Sequence, residues 1–238
     1  MTNKTENKKA LKVPYHLAVI IDGNRRWAKE RRLPIFEGHR QGFNNVKKIS
    51  EEARKMGVKI LTFYGFSTEN WKRSKLEVKN LMRLIERAFS KKYINELISK
   101  GVALRVIGEK NRLSKNLQGK IKRAESLTRK GKNGILNLAI SYGGRLEIIQ
   151  AIKKIISKKI PAGEVNEDIV SKNLWTAGLP YPDFLIRTGK EKRLSNFLIW
   201  QSAYSELYFV NKYWPDFNKN DLEDAFLEYQ KRQRRFGE

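Results

Sequence analysis

The sequence contains no cysteine and only two histidines, His16 and His39. The first absence excludes disulfides and thiolate metal sites, and the second leaves a histidine-rich zinc site short of ligands. Any metal is then expected to be a hard ion bound through oxygen, such as magnesium. Acidic residues are scarce beside basic ones, 25 against 50, for a formal charge of +25. That balance favours an anionic partner, whether nucleic acid, an acidic membrane surface or a phosphorylated small molecule, and does not choose among them. Much of the lysine is scattered along helical patterns, as on a solvated face. No apolar run is long enough to span a membrane, and the opening MTNKTENKK lacks the apolar core of a signal peptide, so a soluble cytoplasmic protein is expected. There is no G-x-x-x-x-G-K-[ST] loop and no G-x-G-x-x-G after a strand, which argues against a P-loop or a dinucleotide fold. Linkers, repeats and low-complexity blocks are also missing. Residues 1–13 read as a flexible tail and 14–238 as one domain.

What is present is a series of short apolar runs: Leu17 to Ile21, Ile60 to Phe66, Val102 to Ile107, Ile135 to Ile140, Phe184 to Ile186 and Leu207 to Val210. Runs of that length, bounded by turn signals and rich in β-branched residues, read as strands covered on both faces. Between them apolar residues recur at spacings of three and four. Val78, Leu81, Met82, Ile85, Ala88 and Phe89 form one such series; Ile148, Ile149, Ile152, Ile155 and Ile156 a second; Leu222, Ala225, Phe226 and Tyr229 a third. Strand and helix in alternation predict an α/β fold, a mainly parallel six-stranded sheet flanked by helices.

In such sheets ligands gather beyond the carboxyl ends of the strands. The first run ends in Asp22, Gly23, Asn24, Arg25, Arg26 and Trp27; the second in Ser67, Thr68, Glu69, Asn70, Trp71 and Arg73. The fourth is followed by Ser141 to Arg145 and the fifth by Arg187, Thr188 and Gly189. Right-handed crossovers bring these ends to one edge. Arginine recurring with glycine and hydroxyl residues suits a diphosphate, which accepts forked guanidinium donors and close backbone amides.

DGNRRWA, the later GH-x-x-G beginning at Gly38, FSTENW with Arg73, RTG-x-E-x-R-x-S, and NFLIWQSAYSELYF followed by WPDF occur in the order that resembles the cis-prenyltransferases, in particular their undecaprenyl diphosphate synthase-like members. The likeness runs from about His16 to Gly237. It implies repeated condensation of isopentenyl diphosphate onto an allylic diphosphate, farnesyl or geranylgeranyl, with magnesium and with cis double bonds, to give a polyprenyl diphosphate lipid-carrier precursor. By resemblance Asp22 is the essential acid beside the metal, with Gly23, Asn24, Arg25, Arg26, Trp27 and His39 around the allylic diphosphate. Arg187, Arg193 and Ser195 match the isopentenyl diphosphate site, and Glu206 the second metal-associated carboxylate. Ser67, Asn70, Trp71 and Arg73 match a loop that closes over substrate. The base that removes the isopentenyl proton stays open between Asn70, Asp22 and diphosphate itself.

The resemblance further implies an apolar product tunnel, for which Leu81, Met82, Ile85, Phe89, Leu104, Val106 and Leu138 are candidates. It also implies a homodimer in which the terminal Arg235-Phe236-Gly237 element reaches the partner's site, and contact with the membrane surface through the lipid product. Three positions depart from the family pattern. Ile35 stands where an arginine is common, Lys190 replaces the second glycine of RTGGE, and Lys192 replaces a histidine found in some members. Two rival readings remain: a catalytically silent partner subunit of a heteromeric enzyme, and a basic nucleic-acid-binding protein, for which no binding module or basic-aromatic platform is present.

Overall fold

The computed structural model describes residues 11–232. Six strands, β1 (His16–Ile20), β2 (Ile60–Ser67), β3 (Val102–Ile107), β4 (Gly134–Tyr142), β5 (Phe184–Arg187) and β6 (Glu206–Phe209), form one sheet in the order β3-β4-β2-β1-β5-β6. Every neighbouring pair is parallel. Helices α1 (Asn24–Glu30) and α2 (Ile35–Lys55) follow β1, and α3 (Lys75–Arg87) and α4 (Lys91–Ser99) follow β2. After β3 comes α5 (Lys115–Thr128), after β4 come α6 (Gly144–Ser157) and α7 (Glu167–Asn173), and α8 (Lys219–Lys231) closes the described chain.

The strands are apolar on both faces because both faces are covered. Leu17 and Val19 of β1 point into a core with Ile49, Phe63, Trp214 and Phe226, while Ala18 and Ile20 point into another with Tyr64, Tyr142 and Phe197. Each such Leu, Val or Ile contributes about 1.5–3 kcal/mol by leaving water. The edge strands differ: β3 alternates buried and half-buried residues over its first four positions, and β6 is half-buried throughout. The predicted runs match the strands to within two residues at each end. One polar line crosses the buried centre. His16 donates through Nδ1 to the Pro180 carbonyl at 2.7 Å and accepts at Nε2 from Thr62 Oγ1 at 2.7 Å, and Asn137 Nδ2 donates to the same Thr62 oxygen at 3.1 Å.

Two expectations are corrected. Leu11 and Val13 pack on the core beside α8, and the Lys12 amide donates to Gln230 Oε1 at 2.9 Å, so residues 11–13 belong to the folded body. The isoleucine series of α6 does not all turn inward. Ile155 is buried, but Ile149, Ile152 and Ile156 are 48%, 47% and 69% exposed and make an apolar stripe on the surface. The α8 series, by contrast, is wholly buried. Among the described residues no helix is long and apolar enough to cross a membrane.

Candidate active site

The strand register places the carboxyl ends of β1, β2, β4 and β5 at one edge, with Ile20 opposite Tyr64 and Arg187 and with Ser67 opposite Tyr142. Asp22 stands just beyond β1. Its Oδ1 accepts from the Gly23 amide at 2.6 Å, and its Oδ2 accepts from Arg187 Nη2 at 2.8 Å and Arg26 Nη2 at 3.2 Å. Arg187 is 3% exposed. Its Nη1 donates to Ser195 Oγ at 2.7 Å and to the Arg193 carbonyl, while its Nε is buried without a partner. A guanidinium so deep in the protein is stable only while acceptors surround it, and among the described residues Asp22 is the one charged acceptor in hydrogen-bond contact with it. Gly189 passes directly over Asp22: φ is +92°, and a Cβ there would lie 2.9 Å from the aspartate carbons.

The loop after Arg187 carries Ser195, Asn196 and Leu198 in the left-handed region at φ of +49°, +66° and +44°. Backbone of that kind costs on the order of 1–3 kcal/mol per residue and gathers at functional sites. Asn196 pins the loop by donating to Glu69 Oε1 at 2.9 Å and accepting from the Arg145 amide at 2.9 Å. Lys190 also takes a left-handed φ, +67°, where the family pattern has glycine.

The GH-x-x-G spacing is explained by packing. Gly38 and Gly42 lie inside α2, where α1 crosses it; a Cβ on Gly38 would meet the Asn24 carbonyl oxygen at 2.0 Å, and one on Gly42 the Asn24 side-chain oxygen at 2.2 Å. His39 lies on the same helix and donates from Nε2 to Glu77 Oε1 at 3.1 Å. Burial holds its imidazole below the usual 6.5, with the hydrogen bond to Glu77 opposing, so His39 is neutral at pH 7. Arg73 Nη1 reaches the same Glu77 oxygen at 3.0 Å and Arg25 Nε at 3.7 Å. Glu77 thus gathers three cationic or potentially cationic groups, and sequence reasoning passed over it. The signal was available, since Arg73 and Glu77 stand four apart at the start of a helical series.

Of the loop residues, Ser67 and Asn70 form a reciprocal cap, the Ser67 amide donating to Asn70 Oδ1 at 3.0 Å, and both line the central cavity. Trp71 does not line it; its indole donates to Ser141 Oγ at 2.9 Å and its ring packs on Phe66. Trp27 likewise bonds Asp216 Oδ1 at 2.7 Å beneath the Arg31 guanidinium, tying α1 to the WPDF turn. Arg193 is paired with Glu191 at 2.6 Å and contributes its carbonyl, not its side chain, to Arg187. Glu206 is not brought to Asp22 within the chain. It opens β6 opposite Phe184, at the far edge of the sheet, and receives Arg232 Nη1 at 3.2 Å. Strand rise puts that edge about 15 Å from the level of Asp22, too far for both carboxylates of one chain to share an ion. Arg235 lies outside the described residues.

Around these groups opens a cavity of about 1080 Å³. Toward the strand ends it is lined by Arg25, Arg26, Lys29, Arg73, Arg145 and the buried Arg187, together with the carboxylates Asp22 and Glu69. Its interior is lined by Phe43, Val46, Leu81, Ile85, Leu138 and Ile140 among others. Of the tunnel candidates, Leu81, Ile85 and Leu138 line this cavity, whereas Met82, Phe89 and Val106 belong to the neighbouring core. Ile35 sits at the mouth, so the missing arginine falls where an anion would enter.

A cationic rim on an apolar sac, set on a parallel sheet, defines an enzyme that handles a long apolar chain with a charged diphosphate head. Residues 20–237 match the family model described as undecaprenyl diphosphate synthase. The chain is 46% identical over 98% of its length to the geranylgeranyl-diphosphate-specific tritrans,polycis-undecaprenyl-diphosphate synthase of Pyrococcus furiosus, covering 90% of that protein. It is 47% identical over 95% of its length to an isoprenyl transferase of Clostridium perfringens, again covering 90%. Among solved structures, lavandulyl diphosphate synthase from Lavandula x intermedia, in complex with dimethylallyl diphosphate, superposes with a TM-score of 0.91 at 41% identity, over 94% of this chain and 98% of that one. The chain belongs to the cis-prenyltransferase family, and its activity is prenyl transfer; neither the silent-subunit reading nor the nucleic-acid reading is supported.

Proposed function

We propose that this protein condenses isopentenyl diphosphate repeatedly onto farnesyl or geranylgeranyl diphosphate, releasing a polyprenyl diphosphate. The observation that carries the reading is a cavity of about 1080 Å³ lined by cations toward the strand ends and by apolar side chains elsewhere. The allylic diphosphate occupies the rim formed by Asp22, Gly23, Asn24, Arg25, Arg26 and His39, and the isopentenyl diphosphate lies against Arg187 and Ser195 with Arg73 above it. A carbon–carbon bond forms between the isopentenyl methylene and the allylic C1 as the C1–oxygen bond breaks, the diphosphate departs, and a proton leaves isopentenyl C2. Arg26 and Arg73 face the departing charge, where preorganised donors act most strongly. Asn70 orients the substrate; its amide oxygen already accepts from Ser67 and is not basic. Asp22 Oδ2 is engaged by two guanidiniums, at 2.8 Å from Arg187 and 3.2 Å from Arg26, which leaves a diphosphate oxygen as the freer proton acceptor.

Magnesium fits this donor set. Among the described residues no three Asp, Glu or His side chains converge into a dedicated cage, and magnesium is commonly held by one carboxylate together with substrate phosphate oxygens. Asp22 would hold it, and when bound it supplies positive charge to the leaving diphosphate. The geranylgeranyl specificity of the Pyrococcus relative supports that primer here. The exposed Ile149, Ile152 and Ile156 stripe supports a homodimer, and the apolar product supports contact of this cytoplasmic enzyme with a membrane surface. Incorporation of labelled isopentenyl diphosphate with each primer, with and without magnesium, tests the reading; absence of any extended product from every primer would overturn it.

A further inference from the structure

The loop after β5 holds Ser195 and Asn196 side by side in the left-handed region. Asparagine tolerates that conformation and serine does so poorly, so Ser195 keeps it only where the surroundings over-determine it. Its own contacts are few: Oγ accepts from Arg187 Nη1 at 2.7 Å, and the carbonyl accepts from the Tyr64 hydroxyl at 3.4 Å. The firmer hold comes from the next two residues. Phe197 is fully buried and stacks on Tyr64 with ring centroids 4.5 Å apart. Asn196 is tied by three hydrogen bonds to the ends of two other strands.

Two of those bonds complete the start of α6. Gly143 precedes the helix and has no side chain with which to cap it. The Gly144 amide instead donates to the Asn196 carbonyl at 2.7 Å, and the Arg145 amide donates to Asn196 Oδ1 at 2.9 Å. Amides that a helix start leaves unpaired are thus satisfied from another loop. The third bond runs from Asn196 Nδ2 to Glu69 Oε1 at 2.9 Å. A backbone amide only donates and a carboxylate only accepts, so Arg145 and Glu69 together admit one orientation of the Asn196 side chain. The fit is close, since a Cβ on Gly143 would lie 2.9 Å from Asn196 Nδ2 and 2.6 Å from Thr68 Oγ1.

Glu69 belongs to the short turn Thr68–Lys72 and lines the large cavity beside Ser67 and Asn70. A carboxylate in that place repels a diphosphate, and because Glu69 is exposed its hydrogen bond competes with water and adds little to stability. Neither charge nor stability accounts for it. Its position does: Ser195 and Arg187 stand on one side of the cavity, Ser67, Asn70 and Arg73 on the other, and the Glu69–Asn196 bond joins the two loops directly.

We infer that Asn196 is a positioning residue for isopentenyl diphosphate: braced by Glu69 and by the start of α6, it holds Ser195 and Arg187 at a fixed separation from the loop that carries Arg73. The inference rests on the isopentenyl site proposed above and adds a pair of residues that act through their neighbours. Steady-state turnover is measured for the wild type, Glu69→Ala, Asn196→Asp and the exchanged pair Glu69→Gln/Asn196→Asp. Each assay contains labelled isopentenyl diphosphate, farnesyl diphosphate and magnesium, at a temperature below the thermal unfolding of all four proteins. Glu69→Ala removes negative charge, which by itself would tighten isopentenyl diphosphate, whereas loss of the brace is expected to raise its KM by about three- to tenfold with the primer KM little changed. Asn196→Asp keeps an acceptor for the Arg145 amide but sets two carboxylates face to face, and is expected to raise the same constant. The exchanged pair restores the bond with donor and acceptor reversed at the wild-type net charge, and is expected to return that constant to the wild-type value. An unchanged or lowered KM in Glu69→Ala, or an exchanged pair as impaired as Asn196→Asp, overturns the brace. A parallel rise in the primer KM overturns its assignment to isopentenyl diphosphate. A wild-type enzyme that incorporates no isopentenyl diphosphate with any primer would instead refute prenyl transfer itself, so the failures are distinguishable.

Discussion

Asp22→Ala removes the carboxylate that faces both Arg26 and Arg187, and two separate losses are expected. The first is catalytic. Removing one preorganised group at the departing charge costs about 2.7–4 kcal/mol, a fall in turnover of a hundredfold or more. The second is structural, because Arg187 is almost fully buried and would keep only the neutral acceptors Ser195 and the Arg193 carbonyl. Breaking a fully buried pair costs about 3–5 kcal/mol. Asp22 is itself 31% exposed, so water partly replaces it and the cost is expected to be nearer 1–2 kcal/mol. For a chain of this size that lowers the melting temperature by about 3–6 °C. Turnover measured beside thermal unfolding separates the two effects, and inorganic diphosphate gives a further control. An anion that binds the orphaned guanidiniums should raise the melting temperature of the variant more than that of the wild type. Turnover within tenfold of the wild type would remove Asp22 from the chemistry, and an unchanged melting temperature would show that Arg187 does not depend on it.

Arg187→Ala is expected to raise the Michaelis constant for isopentenyl diphosphate at least tenfold while changing that for the allylic primer less; equal changes in both would contradict its assignment. Burial holds His16 at about 4 against 6.5 unfolded, so the unfolded chain takes up a proton first as pH falls. Stability is therefore complete above pH 6.5 and lost between 6.5 and 4, by up to about 3 kcal/mol. Urea unfolding of wild type and His16→Asn between pH 6.5 and 5 checks this, and an identical slope in both would refute it. Lys190→Gly releases a left-handed lysine at the expense of its contact with the Tyr213 ring, and is expected to stabilise by at most about 1 kcal/mol in chemical denaturation. A destabilised variant would show that the ring contact dominates.

The strands were legible because a sheet covered on both faces needs continuous apolar runs, and the runs at 17–21 and 60–66 have no other common explanation. The site was legible to the extent that parallel topology collects strand ends, which is why Asp22, Ser67 and Arg187 converge as expected. Trp27 and Trp71 were expected at the substrate by resemblance; within the chain each indole N–H fastens an element, Trp27 tying α1 to the WPDF turn and Trp71 tying its own segment to Ser141 of β4. Glu206 was expected beside the metal by resemblance, and within one chain it stands apart from Asp22. Its sequence neighbourhood is distinctive, but which end of a strand a residue occupies depends on register, and register is a property of the assembled sheet. The α6 isoleucines show the same limit: periodicity reveals an apolar face but not what lies against it.

The nesting of α1 on α2 bears on what motif matches mean in this family. Gly38 and Gly42 are required by Asn24, whose main chain and side chain fill the space that any Cβ would need. Those two letters therefore record how tightly two helices interlock, and carry no information about turnover. A descendant that had lost its chemistry would keep both glycines for as long as it kept its helices, while Asp22 and Arg187 drifted. In screening relatives for retained activity, the aspartate and the buried arginine are the letters to read, and the glycines serve only to align them.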